Sequence, residues 1–184
     1  MPGKKIVTVG IDASTTATGV SVFSDGTYIE STVFKPEKVK FTSKKARMSK
    51  TAYKTLHAKE KREDMERRVL FMISNIGSLL DRCKPSRIIM EDTYGQSDMM
   101  TFKMLSRIQG AVIDWARRNN AELAFKTPSK WRKEVGIPQK NADGTAMKRD
   151  QYKEFAVIVV NQLYGVKVSD DEAEAICIGA SGSK

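Results

Sequence analysis

Histidine and cysteine are nearly absent from this chain: of 184 residues, one is histidine and two are cysteine. Cys83 and Cys177 stand far apart, with no Cys-x-x-Cys or Cys/His spacing around either. That excludes a zinc site and a disulfide framework, and it fits a reducing, cytoplasmic setting. His57 lies in a strongly basic stretch and reads as a surface residue rather than a metal ligand or a general base. No run of ~20 apolar residues exists, so no membrane span is expected. The apolar segment behind the basic start Met1-Pro-Gly-Lys-Lys is only about six residues and includes Thr8, too short for the core of a secretion signal. No internal repeat is present, and glycine-rich runs are missing beyond Gly110.

What is abundant is positive charge. The formal net charge is +10, which points to a polyanionic partner, nucleic acid being the commonest. It is unevenly spread: Lys35 to Arg68 holds thirteen Lys/Arg against five Asp/Glu, an excess of eight. With 40% hydrophobic residues the chain suits a single compact domain, 1–184, carrying a basic insertion at about 35–64. Those cations form either an arm that grips a polyanion or a self-repelling loop that orders only on one.

The pattern is that of an α/β fold. Ile6 to Ile11 is a β-branched run that ends on Asp12 and a small-residue turn; Val20 to Phe23 and Tyr28 to Phe34 follow as strands around the hairpin turn Ser24-Asp-Gly26. Met65, Val69, Met72, Ile73, Ile76 and Leu80 recur at helical spacing. Arg87 to Glu91 is a short apolar strand ending on an acid. A second helix begins near Asp98, its cap, and carries the stripe Met100, Met104, Ile108, Val112 and Trp115. Glu122 to Phe125 reads as a strand, 126–148 as irregular and basic, and 147–164 as a helix. Ser169 opens a last helix. The order β-β-β-α-β-α-β-α-α predicts a mixed central β-sheet flanked by α-helices.

Four acids stand where such a fold brings side chains together. Asp12 and Glu91 each end a strand, and adjacent strand ends place two carboxylates a few ångströms apart, where they repel unless a cation joins them. Asp171 and Glu174, three apart on one helix, project from one face. A set of hard oxygen ligands with no His or Cys suits Mg²⁺, with Mn²⁺ as a substitute, rather than zinc. Two such ions activate water and stabilise the leaving oxygen in phosphodiester hydrolysis. Structural alternatives stand beside this reading: Asp12 as a turn former, Glu91-Asp92 as a solvated loop start, and Asp170 in place of Asp171. Glu172 sits three residues after Ser169 and reads as the partner in a capping box, outside the site.

Gly10-Ile-Asp12-Ala-Ser-Thr-Thr-Ala-Thr-Gly19, Ile88-Ile-Met-Glu91, Arg107-Ile-Gln-Gly110, Thr127-Pro-Ser, Trp131-Arg-Lys and Asp171-Glu-Ala-Glu174-Ala, in that order along almost the whole chain, resemble the RuvC family of Holliday-junction resolvases, particularly its compact bacteriophage-type members. The resemblance implies an RNase H-like fold and a Mg²⁺-dependent endodeoxyribonuclease of DNA recombination and repair. It implies two metal ions held by Asp12, Glu91, Asp171 and Glu174, and a homodimer that nicks two strands of a four-way junction. It implies DNA contacts by Tyr94, an aromatic placed to stack on a base, and by Arg132, Lys133 and Lys148, which would touch phosphates without reading sequence. Packing of Tyr94 on the domain, and solvated charge for the three cations, are the structural alternatives. Two features depart from the family pattern: Glu174 stands where many members have Asp or His, and the basic stretch exceeds the usual connection.

Two other readings compete. A related nuclease acting on forks, flaps or RNA-containing duplexes shares every motif. Gly10-Ile-Asp-Ala-Ser-Thr-Thr also resembles the first phosphate loop of actin- and Hsp70-like ATPases, but those need two lobes and later glycine-rich loops. The second helix is a candidate dimer interface, because Gly110 in mid-helix costs stability against Ala and permits close approach of another helix.

Overall fold

The structure, a computed structural model, describes residues 5–43, 48–93 and 98–182. Five strands form one mixed sheet in the order β3-β2-β1-β4-β5, with β1 at Val7–Asp12, β2 at Thr18–Ser24, β3 at Thr27–Phe34, β4 at Arg87–Glu91 and β5 at Glu122–Lys126. The first three strands are an antiparallel meander. β4 pairs parallel to β1, and β5 parallel to β4. Asp25 and Gly26 both take positive φ in the β2–β3 turn, the conformation that lets a two-residue hairpin follow the twist of its strands.

Helices cover both faces. α1 (Lys50–Cys83) and α2 (Met99–Asn119) pack on one, where Val9, Ile11, Val20, Val22, Ile88 and Met90 meet Val69, Met72, Ile76, Leu80, Met104, Ile108 and Val112. α3 (Pro128–Glu134), α4 (Arg149–Tyr164) and α5 (Asp170–Ser181) cover the other, around Phe23, Ile89, Trp131, Ala156, Val160 and Ile176. The expected caps are present. Asp98 accepts from the backbone N–H of Met100 and Thr101, and Ser169 and Glu172 form the reciprocal box at the head of α5.

Two elements differ from the sequence reading. α1 begins at Lys50, fifteen residues before the apolar stripe that announced it. Residues 50–64 hold no glycine or proline and are rich in Lys, Ala and Glu, so helix propensity and the i,i+4 pairs Lys59–Glu63 and Arg62–Glu66 carry the helix where no apolar face reveals it. The segment taken as irregular contains α3, opened by Pro128 at its first turn and anchored by the fully buried Trp131.

α5 lies unusually close to the sheet. A methyl group on Gly10 would enter the backbone of Ala175 and Gly179, one on Gly19 the carbonyl of Asp171, and one on Gly179 the ring of Phe23. The buried Ser21 hydroxyl donates to the Ala175 carbonyl at 2.7 Å. Backbone therefore rests on backbone, and the head of α5 is held against the end of the sheet where β1 and β4 finish.

Candidate active site

Asp12 and Glu91 stand one step past the Ile11–Met90 pair of the parallel β1–β4 ladder, at the carboxyl ends of neighbouring strands. Side chains alternate across a strand. Gly10 faces α5 and Ile89 belongs to the core beneath α3, α4 and α5, so Asp12 and Glu91 project to that same side. Such a crevice beyond parallel strand ends is where α/β sheets receive ligands. α5 supplies Asp171 and Glu174. The four acids line one cleft of about 570 Å³ together with residues 13–17, Thr101, Arg132, Arg149 and Lys153.

The acids also act on one another electrostatically. The Asp12 carboxyl is pushed well above the usual carboxylate range, first by burial and then by the charges of Glu91, Glu174 and Asp171. Burial also raises Glu91, against a lowering hydrogen bond from Trp131, whose Nε1–H donates to Glu91 Oε2 at 2.8 Å. The Glu91 backbone carbonyl accepts from Gln109 Nε2 of α2 at 3.2 Å. Glu174 is raised by burial and by Glu91, with Lys153 and Arg132 opposing.

The two halves of the site are neutralised differently. On α5, Lys153 Nζ donates to Asp170 at 2.7 Å and to Asp171 at 3.2 Å, and reaches Glu174 at 4.0 Å. Arg132 approaches Glu174 at 3.7 Å, and Lys35 approaches Asp171 at 3.6 Å. On the strands, Glu91 has one neutral donor, and Asp12 has no ion pair among the described residues. As placed, the acids surround the cleft rather than close on a point: among the described residues no three are gathered tightly enough to ligate one ion. Their chemistry nonetheless fits a hard divalent cation, since all four are carboxylates and their mutual repulsion favours binding one.

Tyr94 lies outside the described residues. Lys133 and Lys148 are exposed, Lys148 standing at the head of α4, where its N–H donates to Gln151 Oε1. Arg132 is mostly covered: its guanidinium lies over the rings of Tyr152 at 4.2 Å and Trp131 at 5.0 Å and faces Glu174, so it belongs to the cleft wall rather than the outer surface. Asp170 stands at the rim, held below the ordinary carboxylate range chiefly by Lys153. His57 is half-buried, not a free surface group: it stacks on Tyr53, meets Phe41 edge-on and hydrogen-bonds Ser43 at 3.0 Å. The sequence reading missed Lys153, Arg149 and the hydrogen-bonding part of Trp131. A lysine in the first turns of an amphipathic helix carries no local signal, whereas the tryptophan was visible within Trp131-Arg-Lys.

No family model matches the sequence, and no curated protein matches it. Among solved structures, RuvC from Thermus thermophilus in complex with a Holliday junction substrate is similar to it, with a TM-score of 0.62 and 15% identity over 96% of this chain and 92% of that one. The fold is that of RuvC. A second Thermus thermophilus RuvC structure gives a TM-score of 0.60 at 17% identity over the same shares. On this fold Asp12 and Glu91 end the neighbouring parallel strands, and Asp171 and Glu174 stand on α5 beside them.

Proposed function

We propose that this protein is a structure-selective endodeoxyribonuclease that cuts branched DNA, four-way junctions above all, by Mg²⁺-dependent phosphodiester hydrolysis. The observation that carries the reading is the meeting of strand-end Asp12 and Glu91 with Asp171 and Glu174 of α5 in one cleft of a RuvC fold. Asp12, Glu91, Asp171 and Glu174 would hold the cations, in the mechanism two of them, which supply an activated water and charge stabilisation at the scissile phosphate.

The chain's own residues do the rest. Trp131 fixes the Glu91 carboxylate, and Gln109 the backbone behind it, so this ligand is presented in one orientation. Arg149, lining the cleft, and the exposed Lys133 and Lys148, next in sequence to the cleft residues Arg132 and Arg149, supply phosphate-binding charge. Lys153 holds the α5 carboxylates together. Paired nicks on opposed strands need two sites related by symmetry. The outward face of α2 supports a homodimer: Met99, Phe102, Gly110 and Ile113 recur along one stripe and are all exposed.

The deciding experiment incubates the protein with Mg²⁺ and labelled four-way junction, fork, flap and plain duplex. Symmetric paired nicks in the junction are expected, with Asp12→Asn and Glu91→Gln inactive yet binding DNA as well as or better than wild type, because less negative charge faces the phosphates. Preferred cutting of forks or flaps would replace the junction reading, and Mg²⁺-dependent cleavage by both variants would refute the site.

A further inference from the structure

β3 runs in the same direction as β1, so Phe34 leaves the sheet at the end that carries Asp12. Residues 35–43 then run as a strap outside the sheet, and α1, whose first residue buried in the core is Val69, begins at Lys50. From Lys50 to Val69 the helix is about 28 Å long at 1.5 Å per residue. It is a rod rising from the active-site end of the sheet, and the strap is clasped to it. The Glu60 carboxylate accepts from the backbone N–H groups of Thr42 (2.8 Å) and Ser43 and from the Thr42 hydroxyl; the Ser43 and Thr42 side chains, and after them the two N–H groups, hold it down to about 2. Arg67 donates to the Glu37 carbonyl at 2.7 Å, and the Phe41 ring of the strap meets edge-on the His57 ring of the helix, itself stacked on Tyr53.

The cations of this rod are sorted by face. Lys59 and Arg62 pair with Glu63 and Glu66, and Arg67 and Arg68 share Asp64. Lys50, Lys54 and Lys61 recur at spacings of four and seven, which puts them in one row about 16 Å long. All three are exposed, as are Lys38 and Lys40 of the strap, and among the described residues none of the five meets a carboxylate. A row of exposed, unneutralised lysines on a straight, braced helix fits a rigid polyanion with closely spaced charge.

We propose that the strap and the first five turns of α1 form a second DNA-binding surface, apart from the cleft, that grips the phosphate backbone of a duplex arm through Lys50, Lys54 and Lys61. The inference rests on the reading of the cleft as a DNA-cutting site for the choice of duplex DNA over other polyanions. The rod sets the direction in which a duplex leaves the cleft, so it selects how substrate arms are splayed without reading their sequence.

The test measures binding of a fluorescent plain duplex, a four-way junction and a single strand to the full protein, without divalent cations, across a salt series. Replacing Lys50, Lys54 and Lys61 together by Ala is expected to reduce the slope of log affinity against log salt on duplex and junction by about 2.7, at 0.9 per lost phosphate contact. Replacing Lys59 and Arg62, on the paired side, is expected to leave it unchanged. Circular dichroism melting of each variant confirms that the helix persists. An unchanged slope in the triple variant, an equal loss from the paired side, or a loss confined to the single strand would each overturn the proposal. Because no step depends on cleavage, a protein that binds through this rod and never cuts would refute the nuclease reading and leave the rod standing.

Discussion

Replacing Lys153 by Met keeps the length of the side chain and removes the ammonium group that ties together three carboxylates of α5. The loss can be sized from the contacts. Hydrogen bonds to charged groups contribute roughly 1.5–3 kcal/mol each. The bond to Asp170 is worth the least of the contacts, because that carboxylate is 48% exposed and water takes over from the lysine. The bond to Asp171, 19% exposed, and the closeness to Glu174, 9% exposed, are much less compensated. A net destabilisation of about 2 kcal/mol follows, which for a chain of this size lowers Tm by about 4–8 °C. Scanning calorimetry with EDTA reads it directly. Saturating Mg²⁺ is expected to narrow the gap, because a divalent cation replaces the positive charge the variant lost.

The pH dependence has a defined sign. Asp170 is held below its ordinary range chiefly by Lys153, so its contribution is present above about pH 4 and is lost as pH falls through the depressed value. The Asp170 share of the difference between wild type and variant therefore stays open from pH 5 to 8 and is lost in acid, on the order of pH 4 and below, so the gap narrows there. A variant that melts with wild type in EDTA, or a gap that Mg²⁺ leaves untouched, would refute this account of Lys153.

Trp131→Phe keeps the buried ring and removes the donor to Glu91; Mg²⁺ or Mn²⁺ affinity measured by calorimetry is expected to fall about 10- to 100-fold. Unchanged affinity would mean that the bond orients nothing. Gly10→Ala is expected to cost about 1–3 kcal/mol or more by driving a methyl group into the backbone of α5. Gly77→Ala, in mid-α1 with open space around the new methyl, is expected to gain up to about 1 kcal/mol. Urea denaturation of the two variants checks both signs.

The sheet and its two strand-end acids were legible because they end short, continuous apolar runs buried on both faces, and the head of α5 because Ser169 and Glu172 announce its cap. The start of α1 was not legible: a helix carried by propensity and salt pairs without an apolar stripe has no periodicity to read. α3 was hidden for a related reason, since seven residues with one buried side chain make no pattern. The site was half visible. Its acids are marked by position, but the ammonium of Lys153 reaches them across a helix–helix contact that no spacing along the chain encodes.

The glycines beneath α5 bear on how such a site drifts. Where side chains separate two elements, every core substitution shifts their spacing by fractions of an ångström. Here the carbonyl of Asp171 rests over Gly19, and the backbone of Ala175 and Gly179 over Gly10, so that spacing is set by main-chain atoms common to all sequences. The two hydrophobic cores are free to be rewritten almost entirely while the helix acids stay at a fixed height above the strand acids. Three small residues thus act as the ruler of the cleft.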